Sequence, residues 1–423
     1  MAIIAPSTTN TLYTSSLANA IKDKYNADIP KLIPMQVFLW DYFKPKLVSF
    51  DGEAGKKFII PMQTALNESA VATGEMVALP EGRVPSFVQA YLYLKKMIAR
   101  MTISKESIVL TQGANAMVKG LPNLMDSTIK PFLLNLEAYM HLAGEGILAT
   151  CTADDNGAGL LTVDDTRFIR VGMPLKCYAA DTIHDGEVVV TAVNSATTFT
   201  VSGTSTSIAS GDLVYLSGSW VTSSTIATVL APQGLETIID ETDPHYGNFQ
   251  GIARASYPYM NAIIRDGSDA NGSAGTAQAL TIMRMVNVLD AIWKGSAHAV
   301  PHFIYCGQGV YNALAQVLRN NNQPNEVMPA KDGIPGGLAF HYHDKVLPVV
   351  SSPNCKKNAM FFINKDYLFR YQFSDPKWDD EGGFLRPLED YHAFQAIYSG
   401  YINFGVTLPE SNGRLNDITE VTA

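Results

Sequence analysis

The sequence predicts an α+β fold built from a two-stranded ribbon, one long helix, an inserted β-rich domain and a mixed core of helices and strands. Apolar residues recur at spacings of three and four from Met125 to Ile147, which is typical of an amphipathic helix. Short β-branched runs separated by glycine fill residues 152–225, as in a small barrel or sandwich. From residue 226 onward, helical stripes alternate with strands, which completes the mixed pattern.

The composition favours a subunit of a larger assembly. The chain has 423 residues, of which 47% are hydrophobic and 17% charged, whereas soluble domains average roughly 25% charged residues. We expect neighbouring subunits to cover part of a surface with so few charges. The net charge of −9 and the lack of a long run of Lys or Arg argue against a protein whose main task is to hold nucleic acid by its phosphates.

We expect a soluble protein that is made in the cytoplasm and has no membrane partner. The four cysteines lie far apart without a CxxC pair, which favours reduced, mostly buried thiols over a disulfide framework or a zinc site. The N-terminus lacks the charged and apolar regions of a signal peptide. No run reaches the ~18 apolar residues of a membrane-spanning helix.

Residues 1–49 are predicted to form an N-terminal arm, because prolines keep the stretch after Asp28 extended. Residues 50–107 follow as an extended loop, in which KKFIIPM and SFVQAYLYLKKMIARMTIS form the two long strands of a hairpin. A two-stranded ribbon is only marginally stable in water without a surface to pack on. We therefore expect this ribbon to contact another subunit.

Residues 108–151 contain the long helix with its apolar stripe. Ser127 or Thr128 is the predicted N-cap, because a hydroxyl can accept a hydrogen bond from the first backbone N–H groups of a helix. This start would place Pro131 in the first turn, where a missing N–H is tolerated. Two glycines near residue 146 are expected to end the helix.

The rest of the chain divides into three predicted parts. Residues 152–225 form the inserted β-rich domain of five or six short strands. Residues 226–390 form an α/β domain, in which a stripe from Ile282 to Trp293 predicts a helix that stops at Gly295. Residues 391–423 contain AFQAIYSGYINFGVTLP, whose strict alternation predicts a long, half-buried strand.

The polar motifs have structural explanations that we prefer to catalytic ones. In HYHDKVLPVV, His341 and His343 would share one face of a strand, but the next carboxylate points to the opposite face and cannot complete a metal site. The turn from Gly307 to Gly309 resembles the start of a dinucleotide-binding turn, but it lacks the third glycine and the acidic residue ~20 positions later. DGSDANG, from Asp266, lacks two ligands of a calcium loop. We therefore predict no catalytic, cofactor-binding or metal-binding residues.

Taken in order, these elements resemble the major capsid protein of a tailed bacteriophage, with the Hong Kong 97-like fold. The resemblance covers nearly the whole chain and rests on the order and texture of its segments. The segments that carry it are GIARASYPYMNAII, HFIYCGQGVYNALAQVLRN, LPVVSSPNCKKNAMFFINKDYLFRY and GYINFGVTLP. It implies an N-terminal arm, an extended hairpin loop, a spine helix, an apical α/β domain and a C-terminal strand that returns to the peripheral domain. The insert, with VGMPLKCYAA, TTFTVSG and ASGDLVYLSG, is similar to the small β-domains of some members.

The resemblance implies a structural role without enzymatic activity or cofactors. Copies of the chain would form pentamers and hexamers that close into an icosahedral shell around packaged double-stranded DNA, without sequence-specific binding, in the virion. The predicted inter-subunit contacts are the ribbon residues Phe58, Ile60, Phe87, Tyr91 and Tyr93. The short arm leaves no room for the scaffolding segment of some members. We therefore expect a separate scaffolding protein and a portal as partners.

Two alternatives remain open. A soluble two-domain oxidoreductase would bind a nicotinamide cofactor at the turn between Gly307 and Gly309. A decoration protein would instead bind to a shell built by another subunit. Cofactor binding would favour the first alternative, and a low copy number in the particle would favour the second.

Overall fold

The computed structural model of the protein describes residues 11–12, 39–47, 57–67, 69–76, 81–82, 84–111, 120–154, 159–179, 182–183, 187–202, 208–219, 230–244, 247–267, 275–295, 298–320, 338–380, 383–389 and 391–421. Within these ranges the chain forms three large β-sheets, one separate two-stranded hairpin and five α-helices.

The helices are α1 (Lys105–Thr111), α2 (Gly120–His141), α3 (Leu235–Ile238), α4 (Ile282–Gly295) and α5 (Gln308–Asn320). The strands are β1 (Thr11–Leu12), β2 (Lys44–Leu47), β3 (Phe58–Ala65), β4 (Ser86–Leu92), β5 (Lys95–Ser104), β6 (Ile147–Thr150), β7 (Leu160–Thr162), β8 (Pro174–Ala179), β9 (Thr182–Ile183), β10 (Val188–Val193), β11 (Thr198–Ser202), β12 (Leu213–Leu216), β13 (Ile263–Arg265), β14 (Phe303–Cys306), β15 (Ala339–Tyr342), β16 (Lys345–Ser351), β17 (Met360–Ile363), β18 (Leu368–Gln372), β19 (Lys377–Trp378), β20 (Arg386–Leu388), β21 (Tyr391–Val406) and β22 (Gly413–Leu415).

The main sheet has the order β1-β5-β21-β18-β2, with β19 and β20 also paired to β21. Its central strand, β21, is 16 residues long, as its alternating sequence predicts. β5 runs antiparallel to it, from the pair Lys95 and Ile402 to the pair Ser104 and Ala393. The predicted second strand of the ribbon is therefore broken at residues 93–94. β4 pairs with β3 in the hairpin, while β5 joins the main sheet.

The spine helix α2 packs between two hydrophobic cores. Phe132 and Leu136 belong to the core that it shares with the main sheet, and Ala138 belongs to the core of the inserted domain. The helix begins earlier than predicted, so Pro131 lies inside it rather than in its first turn. The hydroxyls of Ser127 and Thr128 do not cap the helix; both donate to the carbonyl of Leu124, at 2.8 Å. Burial on both sides offsets the backbone hydrogen bond that a proline removes.

The inserted domain is a seven-stranded sheet in the order β6-β12-β8-β10-β11-β7, with β9 paired to β8. Its two ends meet, because Cys151 and Val163 form an antiparallel bridge just beyond β6 and β7. On either side of this bridge, Thr152 N–H donates to the Thr162 carbonyl at 2.9 Å, and Asp164 N–H donates to the Thr150 carbonyl at 3.0 Å. These contacts close the sheet into a barrel rather than a sandwich.

The apical sheet has the order β13-β22-β17-β14-β16-β15. Helices α4 and α5 cover one face of it with their apolar stripes, and α4 ends at Gly295 as predicted. Two boundaries differ from the prediction. β18, β19 and β20 fall within 226–390 but pair in the main sheet, because the long β21 offers them an edge. The segment 391–423 does not lie wholly in the main sheet, because its last strand, β22, pairs with β13 and β17 of the apical sheet.

The described parts of the predicted arm belong to the body of the protein. β1 pairs in parallel with β5, and β2 pairs in parallel with β18. Between them, Leu39 and Phe43 are each 1% exposed within the central core. The amphipathic stretch around residues 17–25 lies outside the described residues.

All four cysteines are buried and none is in a disulfide bond, as their spacing predicts. Among the helices of the described ranges, none has the length and hydrophobicity needed to cross a membrane. Within the same ranges, no three His, Cys, Asp or Glu side chains lie close enough together to hold a metal ion.

Candidate assembly surface

The hairpin formed by β3 and β4 buries one face at its base. Side chains of a strand point alternately to opposite faces, and here the even-numbered residues point inward. Ile60 pairs with Ala90, and both are buried in the central core. Phe58, opposite Leu92, packs on Tyr371 with ring centroids 5.0 Å apart. The base of the hairpin is therefore anchored to its own subunit.

Beyond this base, the hairpin exposes large apolar side chains. Phe87 is 64% exposed, Val84 is 86% exposed and Met76 is fully exposed. Further exposed apolar residues of the hairpin are Ile59, Leu66 and Val71. Apolar groups concentrated on one projecting element are typical of an interaction surface.

The five predicted contact residues are in different environments. Phe87 is exposed and remains a predicted contact. Ile60 is only 8% exposed, so we correct its assignment: it belongs to the core of its own subunit. Phe58, Tyr91 and Tyr93 are partly buried and pack in part on their own chain. Whether they also contact a neighbour remains a prediction.

Tyr91 and Tyr93 connect the hairpin to the body. Tyr91 N–H donates to the Gln250 carbonyl at 2.8 Å, and its ring meets the Tyr93 ring edge-on with centroids 5.6 Å apart. Asn403 Nδ2 donates to the Tyr93 carbonyl at 2.6 Å. Lys95 follows at the start of β5, where burial lowers its pKa to about 8. These contacts fix the point at which the hairpin leaves the main sheet.

The outer face of the main sheet is apolar and basic. Lys96, Ile98 and Arg100 on β5 are exposed, opposite Tyr401, Ser399 and Ile397 of β21. The Lys96 ammonium lies 5.7 Å from the centroid of the Tyr401 ring. Lys377 of β19, which pairs with Ser399, is also exposed. This face was not predicted from the sequence, although the alternation of apolar and polar residues in β5 indicates it.

A carboxylate joins the barrel to the apical domain. Glu236 on α3 accepts hydrogen bonds from Arg167 Nη2 of the barrel and from Lys356 Nζ of the apical domain, each at 3.1 Å. The side chains of Arg167 and Glu236 are 13% and 14% exposed. Burial alone would raise the pKa of Glu236, but Lys356 and Arg167 together bring it below its usual value. The ionised carboxylate therefore holds the two domains together.

His141, at the end of the spine helix, contacts the apical sheet. Its Nε2 lies 2.6 Å from the hydroxyl of Tyr305, and its Nδ1 lies 2.8 Å from the carbonyl of Glu137. With the proton on Nδ1, the imidazole donates to Glu137 and accepts from Tyr305. Burial lowers the pKa of His141 to about 4, so the ring is neutral at pH 7.

The turn that resembles a dinucleotide site is filled by the protein itself. A Cβ at Gly309 would lie 2.8 Å from the Cβ of Glu420 and 2.9 Å from its carboxylate. Val421 N–H donates to the Gly309 carbonyl at 3.2 Å, and Glu420 Oε1 accepts from Asn358 N–H at 2.9 Å. An acidic side chain of the C-terminal segment thus lies beside the glycines at the N-terminus of α5. This geometry does not support the oxidoreductase alternative.

The histidine motif forms a hairpin rather than one strand. β15 ends at Tyr342, which pairs with Lys345 at the start of β16, so His343 and Asp344 form the turn. His343 has a φ of 48°, as tight hairpin turns require, and its ring lies 4.3 Å from the Tyr342 ring. The two histidines therefore do not share one strand face. Pro348 lies within β16. Most of DGSDANG lies outside the described residues.

No protein-family model matches the sequence, and no curated protein matches it. Solved structures do match the fold. The capsid asymmetric unit of cyanophage A-1(L) aligns with a TM-score of 0.55 and 15% sequence identity, over 96% of this chain and 100% of that chain. The capsid of a native GTA particle aligns with a TM-score of 0.49 and 11% identity, over 98% and 100% of the two chains.

The fold assignment depends on the cyanophage alignment, which lies above a TM-score of 0.5 and leaves little of either chain uncovered. An identity of 15% is informative about the fold and not about activity. The predicted α+β capsid fold agrees with this match. The chain therefore has the fold of a phage capsid subunit.

Proposed function

We propose that this chain is a major capsid protein that assembles into an icosahedral shell of pentamers and hexamers around packaged double-stranded DNA. The observation that carries the proposal is the hairpin. It is anchored at its base by Ile60 and exposes Met76, Val84 and Phe87 beyond it. A ribbon with such a surface is stabilised by packing on a partner. In a chain with the fold of a capsid subunit, that partner is a second copy.

The docking site for the hairpin is the outer face of the main sheet in the neighbouring copy. The hairpin segment 64–85 contains three Glu and one Arg. The outer face carries Lys96, Arg100 and Lys377, with apolar Ile98 among them. Asp379 next to this face is paired with Arg386 at 2.9 Å, so the basic residues determine its charge. Opposite charges and exposed apolar groups on both surfaces support this pairing.

The remaining parts of the proposal follow from a shell. The net charge of −9 would keep the lining of the shell from trapping the genome. The role is structural and not enzymatic. A separate scaffolding protein and a portal are the proposed further partners. The protein would be made in the cytoplasm of the host and would act in the virion.

A charge-reversal experiment tests the docking site. We expect the double variant Lys96→Glu, Arg100→Glu to remain folded but to lose assembly, because both side chains are exposed. Adding Glu75→Lys and Glu81→Lys in the same chain should restore assembly, since every copy then carries the reversed pair. Assembly is measured by sedimentation and negative-stain microscopy, and folding by thermal melting of the soluble subunit.

Lys294→Glu, an exposed reversal on α4, is the matched control and should assemble like the wild type. Normal shells from the Lys96→Glu, Arg100→Glu variant would contradict the docking site. A chain that never assembles by itself or with a scaffold, but that binds a shell formed by another subunit, would favour the decoration protein instead.

A further inference from the structure

A small polar cavity of about 30 Å³ lies beneath the base of the hairpin. Six of its lining residues have hydrogen-bonding or charged side chains and are at most 8% exposed; Thr237 is one of them. The other five are Lys95, Glu145, Gln233, Gln250 and Asn403. The cavity thus lies where the hairpin, the end of the spine helix and the main sheet meet.

Two glutamines in this cavity have amide atoms without a protein partner. Among the described residues, none bonds to Gln233 Oε1 or to either amide atom of Gln250. Both amide atoms of Asn403 beside them have a protein partner, because Nδ2 donates to the Tyr93 carbonyl at 2.6 Å and Oδ1 accepts from Gln233 N–H at 2.8 Å. Buried polar atoms in native proteins nearly always have a partner, often an ordered water molecule.

The backbone holds Gln250 in this inward position. Its φ of 50° is uncommon for a residue other than glycine, and its carbonyl accepts from Tyr91 N–H at 2.8 Å. A Cβ at Gly405 would lie 2.9 Å from Gln250 Nε2, so the glycine leaves room for the amide. An unusual backbone conformation and a buried, unpartnered side chain thus coincide at one residue. Such a coincidence is typical of a binding position.

The chemistry of the lining selects the occupant. A metal cation would need oxygen atoms alone, and an anion would need donors alone. The cavity offers the Gln250 Nε2 donor together with the oxygen acceptors of Gln250 and Gln233. Water can serve both kinds of group, and a cavity needs only ~10–15 Å³ to hold one molecule. The lowered pKa of Lys95 agrees with a site that is shielded from bulk solvent.

We propose that one or two water molecules are bound in this cavity and bridge Gln250 to Gln233. This hydration site goes beyond the proposed capsid function and does not depend on it. It links the turn at Gln250, which holds Tyr91 of the hairpin, to the segment that follows the barrel. The hairpin would therefore leave the body of the subunit at a hydrated junction rather than at a dry, close-packed one.

A high-resolution structure of the full chain is the direct test. We expect solvent density within hydrogen-bonding distance, about 3 Å, of both Gln250 and Gln233. A Gln250 amide that bonds directly to protein groups, or a cavity without such density, would overturn the proposal.

A double-mutant cycle gives a second, independent readout. Gln250→Leu and Gln233→Leu should each lower the folding equilibrium constant of the full chain by about tenfold. The double variant should lose about as much as either single variant, because the water no longer bridges two amides. Independent, additive losses of about a hundredfold would overturn the bridge. Gln89→Leu, an exposed change in the hairpin, is the control and should leave the constant unchanged.

Discussion

Replacing Glu236 by Gln tests the link between the barrel and the apical domain. The substitution keeps the shape of the side chain and removes the charge that faces Arg167 and Lys356, each 3.1 Å away. Removing one partner of a buried ion pair costs about 3–5 kcal/mol. Because the Lys356 side chain is 43% exposed, we expect a loss near the lower end, about 3 kcal/mol in the free energy of unfolding.

The pH dependence of this loss is specific to the carboxylate. The pKa of Glu236 in the folded protein lies below its ordinary value of 4.5. Its contribution to stability is therefore complete above pH 4.5 and disappears as the pH falls through the lower, folded-state pKa. The difference between the wild type and Glu236→Gln should accordingly shrink in acid.

The assay is urea unfolding of the soluble full chain at pH 7 and at several values below 4.5. Glu106→Gln, an exposed change on α1, is the matched control and should change stability by less than about 0.5 kcal/mol. Equal stability of the wild type and Glu236→Gln at pH 7 would refute the reasoning. A difference that remains undiminished at pH 3 would also refute it.

Three further substitutions have expected outcomes. Gly309→Ala should lower the free energy of unfolding by about 1–3 kcal/mol, because the new Cβ would lie 2.8 Å from that of Glu420; Gly82→Ala, with open space around it, is the control in urea titrations. His141 has a folded-state pKa of about 4, so the unfolded state gains protons first as the pH falls below ~6.5. Wild-type stability should therefore fall between pH 6.5 and 4, and His141→Gln should show less of this loss in melts across that range. Pro131→Ala should raise the thermal midpoint, since it restores a backbone donor inside α2; an unchanged or lower midpoint would contradict this expectation.

Local periodicity was sufficient to predict several elements of the fold. The stripe of α4 and the alternation of β21 identified both elements, because each element buries a regular face. The position of Pro131 in the helix was predicted wrongly, because it depends on distant packing rather than on local periodicity. The helix around it is stabilised by packing on two cores, and the partners in those cores lie far away in the sequence.

The break between β4 and β5 could not be predicted from a local window. The apolar alternation continues through residues 93–94, so the sequence resembles a single strand. The break depends on distant groups: Gln250 holds Tyr91, and Asn403 holds the carbonyl of Tyr93.

The candidate site was predictable in kind but not in detail. Alternation shows that the hairpin has two apolar faces, but it does not show which face packs on its own subunit. Ile60 was therefore predicted to contact a neighbouring subunit, although it is buried in the core of its own subunit. Val84 and Met76 were not predicted as contacts, although both are exposed, because they lie in a link rich in small residues. The outer face of β5 was missed because its apolar and basic residues form one surface only when β21 lies beside them.

Assembly of the full chain is the most direct test of the proposed function. The protein is expressed with its neighbouring gene products and purified. Multi-angle light scattering then measures the mass of the particles, and negative-stain microscopy images the same peak. We predict particles of megadalton mass, or rings of five and six subunits. A monomer or dimer that never assembles under these conditions would contradict the assignment as a shell subunit.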